Sequence, residues 1–214
     1  MSIFFYIFLM NGNDSLLKQI AIIPELIENN FENLLNISKE TTKNDLFKNV
    51  DLIYLTGCGD SYHSAVASQY SFNLFTSIPT IALNAMHLGR YHAINHLNKK
   101  NVLTIGISVS GRVTRTIEAL NYCFKSGHKT IALTSSNNSP ITNYNNLIQL
   151  LDIDEMNRTP ALISFILNTL LLNLNSLHIG LASNHLIDSD YLCLIKELKC
   201  LPRIILKTIS DSEI

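Results

Sequence analysis

Ile107-Ser108-Val109-Ser110-Gly111-Arg112-Val113-Thr114-Arg115-Thr116-Ile117 reads as a buried strand that turns into a helix through small hydroxyl residues and one glycine. The run leading into it, Asn101 to Ile107, has the length and β-branched content of a central strand. Beyond it Val113, Ile117, Leu120 and Phe124 fall on one helical stripe that runs up to Gly127. A helix that starts at Gly111 or Arg112 leaves its first N–H groups unpaired and partly positive, so the junction suits an anion such as phosphate. Ser108, Ser110 and Thr114 add hydroxyl donors, and Gly111 lets the backbone come close because it has no Cβ. Arg112 and Arg115 stand in the first turn, where cations oppose the helix dipole. A bound anion removes that conflict; two solvent-facing arginines are the plain alternative.

Outward from this junction, strand and helix alternate from Val50 onward. The units are strand Asp51 to Thr56, helix Ser61 to Phe75, strand Thr80 to Asn84, a helix around Met86 to Leu97, strand Val102 to Ile107 and helix Arg112 to Ser126. Strand Thr130 to Thr134, a short turn or helix after Pro140 and strand Leu147 to Ile153 complete the set. This texture predicts an α/β fold: a three-layer, doubly wound, five-stranded parallel sheet of flavodoxin-like order 2-1-3-4-5, with flanking helices at both ends. In that order the crevice opens between strands 1 and 3, where the winding reverses. The loop after strand 1, Gly57-Cys58-Gly59-Asp60-Ser61, then lies beside Ser108-Val109-Ser110-Gly111. Asp60 reads as the N-cap of a helix beginning at Ser61, and its carboxylate repels phosphate, which assigns the phosphate to the second loop.

The chain of 214 residues, 47% apolar and with a net charge of −1, is long enough for one well-buried domain with appended helices. The expected layout is an apolar extension over 1–13, N-terminal helices over 14–49, the α/β domain over 50–181 and a C-terminal helix and tail over 182–214. No basic patch marks a nucleic-acid surface. The opening MSIFFYIFLM stops at Asn11, far short of the roughly 20 apolar residues a membrane span needs, and lacks the basic region and cleavage site of a signal peptide. A natural start at Met10, an extra strand and an interface-covering arm all fit it. Cys58, Cys123, Cys193 and Cys200 form no C-x-x-C pair and have no His at zinc spacing, which points to reduced thiols in the cytoplasm. Cys123 and Cys193 read as buried packing.

Among the flanks, Leu16 to Ile23 predicts a short helix, Pro24 opens a second helix to about Ile37, and Ser38 to Asn49 reads as linker and short helix. The uncharged helix Ala161 to Ile179, ended by Gly180, is too polar for lipid and is expected to be buried against the sheet or a second subunit. A last amphipathic helix spans Ser189 to Leu201, with Pro202 and a tail after it.

Cofactor motifs are missing. Tyr62 stands where a dinucleotide fingerprint needs its third glycine, no acid closes strand 2, and no G-x-x-x-x-G-K-[ST] is present. No cofactor is therefore expected. His87, His92 and His96 lack an acidic partner at helical spacing and read as solvated or capping residues, so no metal is expected either.

The segments GCGDSYHSA at Gly57 to Ala65 and ISVSGRVTRTIEAL at Ile107 to Leu120 together resemble the SIS (sugar isomerase) phosphosugar-binding domain family. The likeness is to the first SIS half of the isomerase part of glucosamine-6-phosphate synthase and its amidotransferase-free relatives. An early helix with an internal proline at Gln19 to Leu35, the segment Glu155 to Leu177 and the linker-like Leu198 to Ile204 share it. The resemblance implies that Ser108 and Ser110 hold the phosphate with Gly111 as the turn, and that Ser61 helps bind the sugar phosphate. Cys58, Gly59, Asp60 and Ser61 are then expected to face the sugar hydroxyls. Asp60 replaces a threonine of the synthase, Val109 a polar residue and Val113 a phosphate-contacting threonine, for which Thr114 or Thr116 compensates.

The implied ligand is a sugar phosphate of the fructose 6-phosphate or glucosamine 6-phosphate class. In the double-domain relatives the acid–base residues largely belong to the second half. Aldose–ketose isomerisation needs a base within hydrogen-bond reach of a carbon-bound proton. Glu155, His63 and His87 are the candidates near the crevice, each with a structural reading beside the catalytic one. The expected function is thus an isomerase or deaminase type domain working as a homodimer or with a partner SIS half; a non-catalytic sugar-phosphate module and one half of a truncated or split isomerase are the alternatives.

Overall fold

The computed structural model describes residues 15–43, 46–92, 101–151 and 161–212. The apolar opening residues therefore lie outside the described residues, as does Glu155. Five strands, β1 Leu52–Gly57, β2 Thr80–Asn84, β3 Val102–Ile107, β4 Lys129–Thr134 and β5 Leu147–Leu150, form one sheet in the order β2-β1-β3-β4-β5. All four pairings are parallel. The strand-to-helix alternation dictates this arrangement, because each parallel return needs a crossover over a sheet face.

Alternate residues of each strand serve opposite faces. Ile53, Leu55, Leu103, Ile105 and Ile107 join one core with helices α1 (Ser15–Lys43), α2 (Asp60–Thr76) and α4 (Leu162–Ala182). On the other face Leu52, Tyr54 and Val102 meet Leu88 and Cys123, while Ala132 meets Leu120 and Ile141. That face is covered by α3 (Thr114–Lys125) and by a short helical segment, Ala85–His87, which runs into a π-turn over Leu88–His92. The rest of the helix expected to reach Leu97 lies outside the described residues.

Several boundaries differ from the sequence expectation, each for a packing reason. Pro24 lies inside α1 instead of opening a second helix. Ile23, Ile27, Phe31, Leu34 and Leu35 form a continuous buried stripe across it, and this burial outweighs the hydrogen bond that proline forfeits. The stretch read as linker is helical as far as Lys43, where Ser38 bonds the His178 ring of α4 at 2.7 Å. Gly180 does not end α4; a Cβ there would overlap the Phe75 carbonyl oxygen, so the glycine permits close approach to α2. The ending falls to Asn184, at φ 57°, with the N–H groups of His185 and Leu186 donating to the Gly180 carbonyl.

Pro202 does not close the chain's helices either. It sits in the first turn of α6 (Leu201–Asp211), which follows α5 (Asp188–Lys199). Leu201 and Ile205 hold α6 on the main core. Cys123 is buried, and burial pushes its thiol up to about 11; Cys193, expected to be buried, is exposed on α5. Helix α4 is long and apolar enough to cross a membrane, yet 72% of its most apolar window is inside the protein. The Gln149 and Asn175 amides, paired at 2.9 Å in both directions, stitch it to β5.

Candidate anion-binding site

The registers Gly57↔Asn84, Gly57↔Ile107 and Ile107↔Leu133 bring β1 to β4 to a common edge. The loops after β1 and β3 consequently sit next to each other. The Thr116 hydroxyl of α3 donates to the Cys58 thiol at 3.7 Å, and a Cβ on Gly57 would stand 2.9 Å from Ser61 and 3.0 Å from the Ile107 carbonyl oxygen. Cys58 and Ser61 are half-buried there, and Gly59 and Asp60 are exposed.

Asp60 is not an N-cap. Gly59, with φ 56° and ψ −132°, occupies that position, and the N–H groups of Tyr62 and His63 donate to its carbonyl. Only glycine adopts this backbone without strain, so Asp60 becomes the first helical residue, where its negative charge suits the dipole. The Ser61 hydroxyl has no partner among the described residues.

In the second loop Ser108, Val109, Ser110 and Gly111 form a tight turn closed by the Gly111 N–H donating to the Ser108 carbonyl at 2.8 Å. Gly111 has φ 63°. The helix after it begins later than the hydroxyl pattern predicts: Val113, extended at φ −69° and ψ 105°, caps α3, and Thr114 is its first residue. The delay leaves an open stretch of backbone. Among the described residues the N–H groups of Ser110, Val113, Thr114 and Arg115 have no acceptor, while that of Arg112 reaches the Ser110 hydroxyl at 3.3 Å. Ser108 is 1% exposed, and its hydroxyl has no hydrogen-bond partner among the described residues. A buried hydroxyl without a partner costs about 1–3 kcal/mol, and such a group beside unpaired amides marks a place completed by something else.

Charge around the turn is arranged differently from the expectation. Arg115 does not await an anion: it pairs with Glu118 at 2.7 Å, and Arg90 from the π-turn reaches the other oxygen at 2.6 Å. Arg115 first, then Arg90, hold the Glu118 carboxyl below the usual carboxylate range. Arg112 is exposed and has no ion-pair partner among the described residues, which leaves it as the cation at the mouth. Thr114 is also exposed there.

The candidate bases are less concentrated. His63, exposed in the first turn of α2, lies against Tyr62 with ring centroids 5.6 Å apart. His87, exposed after β2, lies 5.9 Å from the Tyr91 ring. Both belong to the sheet edge that holds the loops. No group of three or more His, Cys, Asp or Glu side chains placed to hold a metal occurs among the described residues.

A third loop, unread in the sequence, supports the turn. After β4 the Ser135 N–H, the Ser135 hydroxyl and the Thr134 hydroxyl all donate to the Val109 carbonyl, at 2.9, 2.6 and 3.2 Å. Ser139 packs where a side chain on Gly111 would have to go. A hydroxyl-rich run, Thr134-Ser135-Ser136, directly after a strand of the same sheet was the available signal.

Comparison with known proteins gives the chain's family and fold. The SIS domain family matches residues 46–177. Glutamine–fructose-6-phosphate aminotransferase [isomerizing] from Fusobacterium nucleatum is 26% identical over 208 residues, 92% of this chain and 33% of that protein. The C-terminal domain of glucosamine-fructose-6-phosphate aminotransferase from Francisella tularensis superposes with a TM-score of 0.78 at 18% identity, covering 94% of this chain and 56% of that one. Glucosamine-6-phosphate deaminase from Thermotoga maritima gives 0.61 at 23% identity, covering 86% and 53%. The chain thus spans about a third of the curated relative and about half of the solved ones.

Proposed function

The chain belongs to the SIS domain family, and from that footing we propose that it binds a sugar phosphate at the edge shared by the β1 and β3 loops. The phosphate sits on the N–H groups of Ser110, Val113, Thr114 and Arg115, which have no acceptor among the described residues, with the hydroxyls of Ser108, Ser110 and Thr114 around it. Gly111, at φ 63° and packed against Ser139, holds the turn in shape, and Arg112 supplies the nearby positive charge. Cys58, Gly59, Asp60 and Ser61 face the sugar, where the Asp60 carboxylate accepts hydrogen bonds from hydroxyls better than it tolerates a phosphate.

The single observation that carries this reading is the Ser108 hydroxyl, buried and, among the described residues, unpartnered beside amides that have no acceptor. An oxyanion supplies acceptors to all of them at once. The names of the relatives, built on fructose 6-phosphate and glucosamine 6-phosphate, support this class of sugar.

Binding is the part of the chemistry that the described residues furnish. Moving a proton between neighbouring sugar carbons requires a base in direct reach. His63 and His87 stand at the right edge, and Glu155 follows β5. In our reading the remaining acid–base groups come from a neighbouring subunit of a homodimer or a partner SIS half, in a cytoplasmic protein.

Thermal shift with fructose 6-phosphate and glucosamine 6-phosphate tests the proposal, since ligand at 100 times its dissociation constant adds about 2.7 kcal/mol. Stabilisation by the phosphorylated sugars, absent with fructose and glucosamine and lost in Ser110→Ala, is the expected result. Equal response to phosphorylated and free sugars refutes it.

A further inference from the structure

We infer that Thr134 and Ser135 are positioning residues that aim the backbone of the phosphate turn, an inference that rests on the sugar-phosphate reading of that turn. The Val109 carbonyl is held by three donors from the β4 loop: the Ser135 N–H, the Ser135 hydroxyl and the Thr134 hydroxyl. In a trans peptide the carbonyl and the following N–H point in opposite directions. Fixing the Val109 carbonyl toward β4 therefore turns the Ser110 N–H away from β4, toward the β1 side of β3 where the Cys58 loop lies.

The same device recurs two peptides later. The Gly111 carbonyl accepts from the Ile141 N–H at 3.1 Å, in the 3-10 turn Pro140–Asn143, so the Arg112 N–H also faces away from that turn. Ser139 and Thr134 fill the space beneath Gly111. The turn is thus fastened through the Val109 and Gly111 carbonyls by one neighbouring loop, which fixes the direction of the Ser110 N–H.

Such preorganisation matters because an amide that must rotate on binding charges its reorganisation against affinity. A free turn of the same sequence has no reason to direct that N–H toward the β1 loop. Thr134 and Ser135 hydrogen-bond the turn through the Val109 carbonyl, and Thr134 also packs beneath Gly111, so both act on the ligand through the backbone. Their hydroxyls are what tells this role from simple packing.

The test uses the full chain, with inorganic phosphate and glucosamine 6-phosphate as probes in calorimetric titration. The double variant Thr134→Val/Ser135→Ala removes two of the three donors while keeping side-chain volume nearly constant. We expect both probes to bind about tenfold more weakly, with ligand-free melting little changed, and Ser135→Thr, which keeps the hydroxyl, to bind like the parent. Equal affinity in parent and double variant overturns the inference. Should the double variant melt early, the near-isosteric Thr134→Val alone serves, with a few-fold weakening expected, and parental affinity there overturns the inference equally. Failure of the parent chain to bind either probe rejects the site itself.

Discussion

Gly111 lies so close to Ser139 that a Cβ on the glycine would overlap the Ser139 hydroxyl, and it would stand 2.9 Å from the Thr134 hydroxyl. The position also has φ 63°. Gly111→Ala adds a left-handed strain of about 1–2 kcal/mol to an overpacking cost of similar size. We expect a loss near 3 kcal/mol in urea unfolding, together with loss of phosphate binding. A variant as stable as the parent would show that the turn relaxes freely.

Ser108→Ala separates binding from folding. The hydroxyl is buried without a partner among the described residues, so its removal relieves a desolvation penalty. Unfolding free energy should stay level or rise by about 1 kcal/mol, while sugar-phosphate affinity falls about tenfold. Matched titration and denaturation of the two proteins measure both, and a fall in stability without a change in affinity would contradict this assignment.

The sheet and the turn were legible in the sequence because they rest on local signals. β-branched runs at regular spacing define the five strands, and the pattern Ser108-x-Ser110-Gly111 defines the turn. Pro24 and Gly180 misled for the opposite reason: their local preference is to break a helix, and distant burial decides otherwise. The hydroxyl-rich run at Thr134-Ser135-Ser136 signalled a polar loop but not what it supports, because the acceptor of the Ser135 hydroxyl is set by tertiary contact with Val109, 26 residues away. The late start of α3 likewise follows from the way the β4 side grips Val109 and Gly111.

Gly180→Ala sets helix propensity against packing. Propensity favours alanine by up to about 1 kcal/mol inside a helix. The overlap with the Phe75 carbonyl oxygen opposes it, and that oxygen belongs to backbone that yields little. A net destabilisation of about 1–3 kcal/mol is expected in denaturant unfolding. Any stabilisation would mean that α2 and α4 separate easily.

His178 gives the fold a pH dependence. It is 5% exposed between Ser38 at 2.7 Å and Tyr191 at 2.8 Å, and burial, aided by the Lys39 charge, lowers its pKa from 6.5 to about 4. The unfolded chain takes up this proton more readily than the folded one, so the stabilisation is present above pH 6.5 and is lost as the pH falls toward 4. Between pH 7 and pH 5 the parent should lose about 2 kcal/mol through this group. Urea midpoints at the two pH values should show a smaller difference in His178→Gln; an identical difference places the titration elsewhere.

Amide resonances are the direct witness for the phosphate position. In a ¹⁵N-labelled sample titrated with glucosamine 6-phosphate and separately with glucosamine, the N–H signals of Ser110, Val113, Thr114 and Arg115 should move with the phosphorylated sugar and stay still with the free one. Unmoved signals at those four amides, with shifts clustered in another part of the chain, would contradict the placement of the phosphate on this turn.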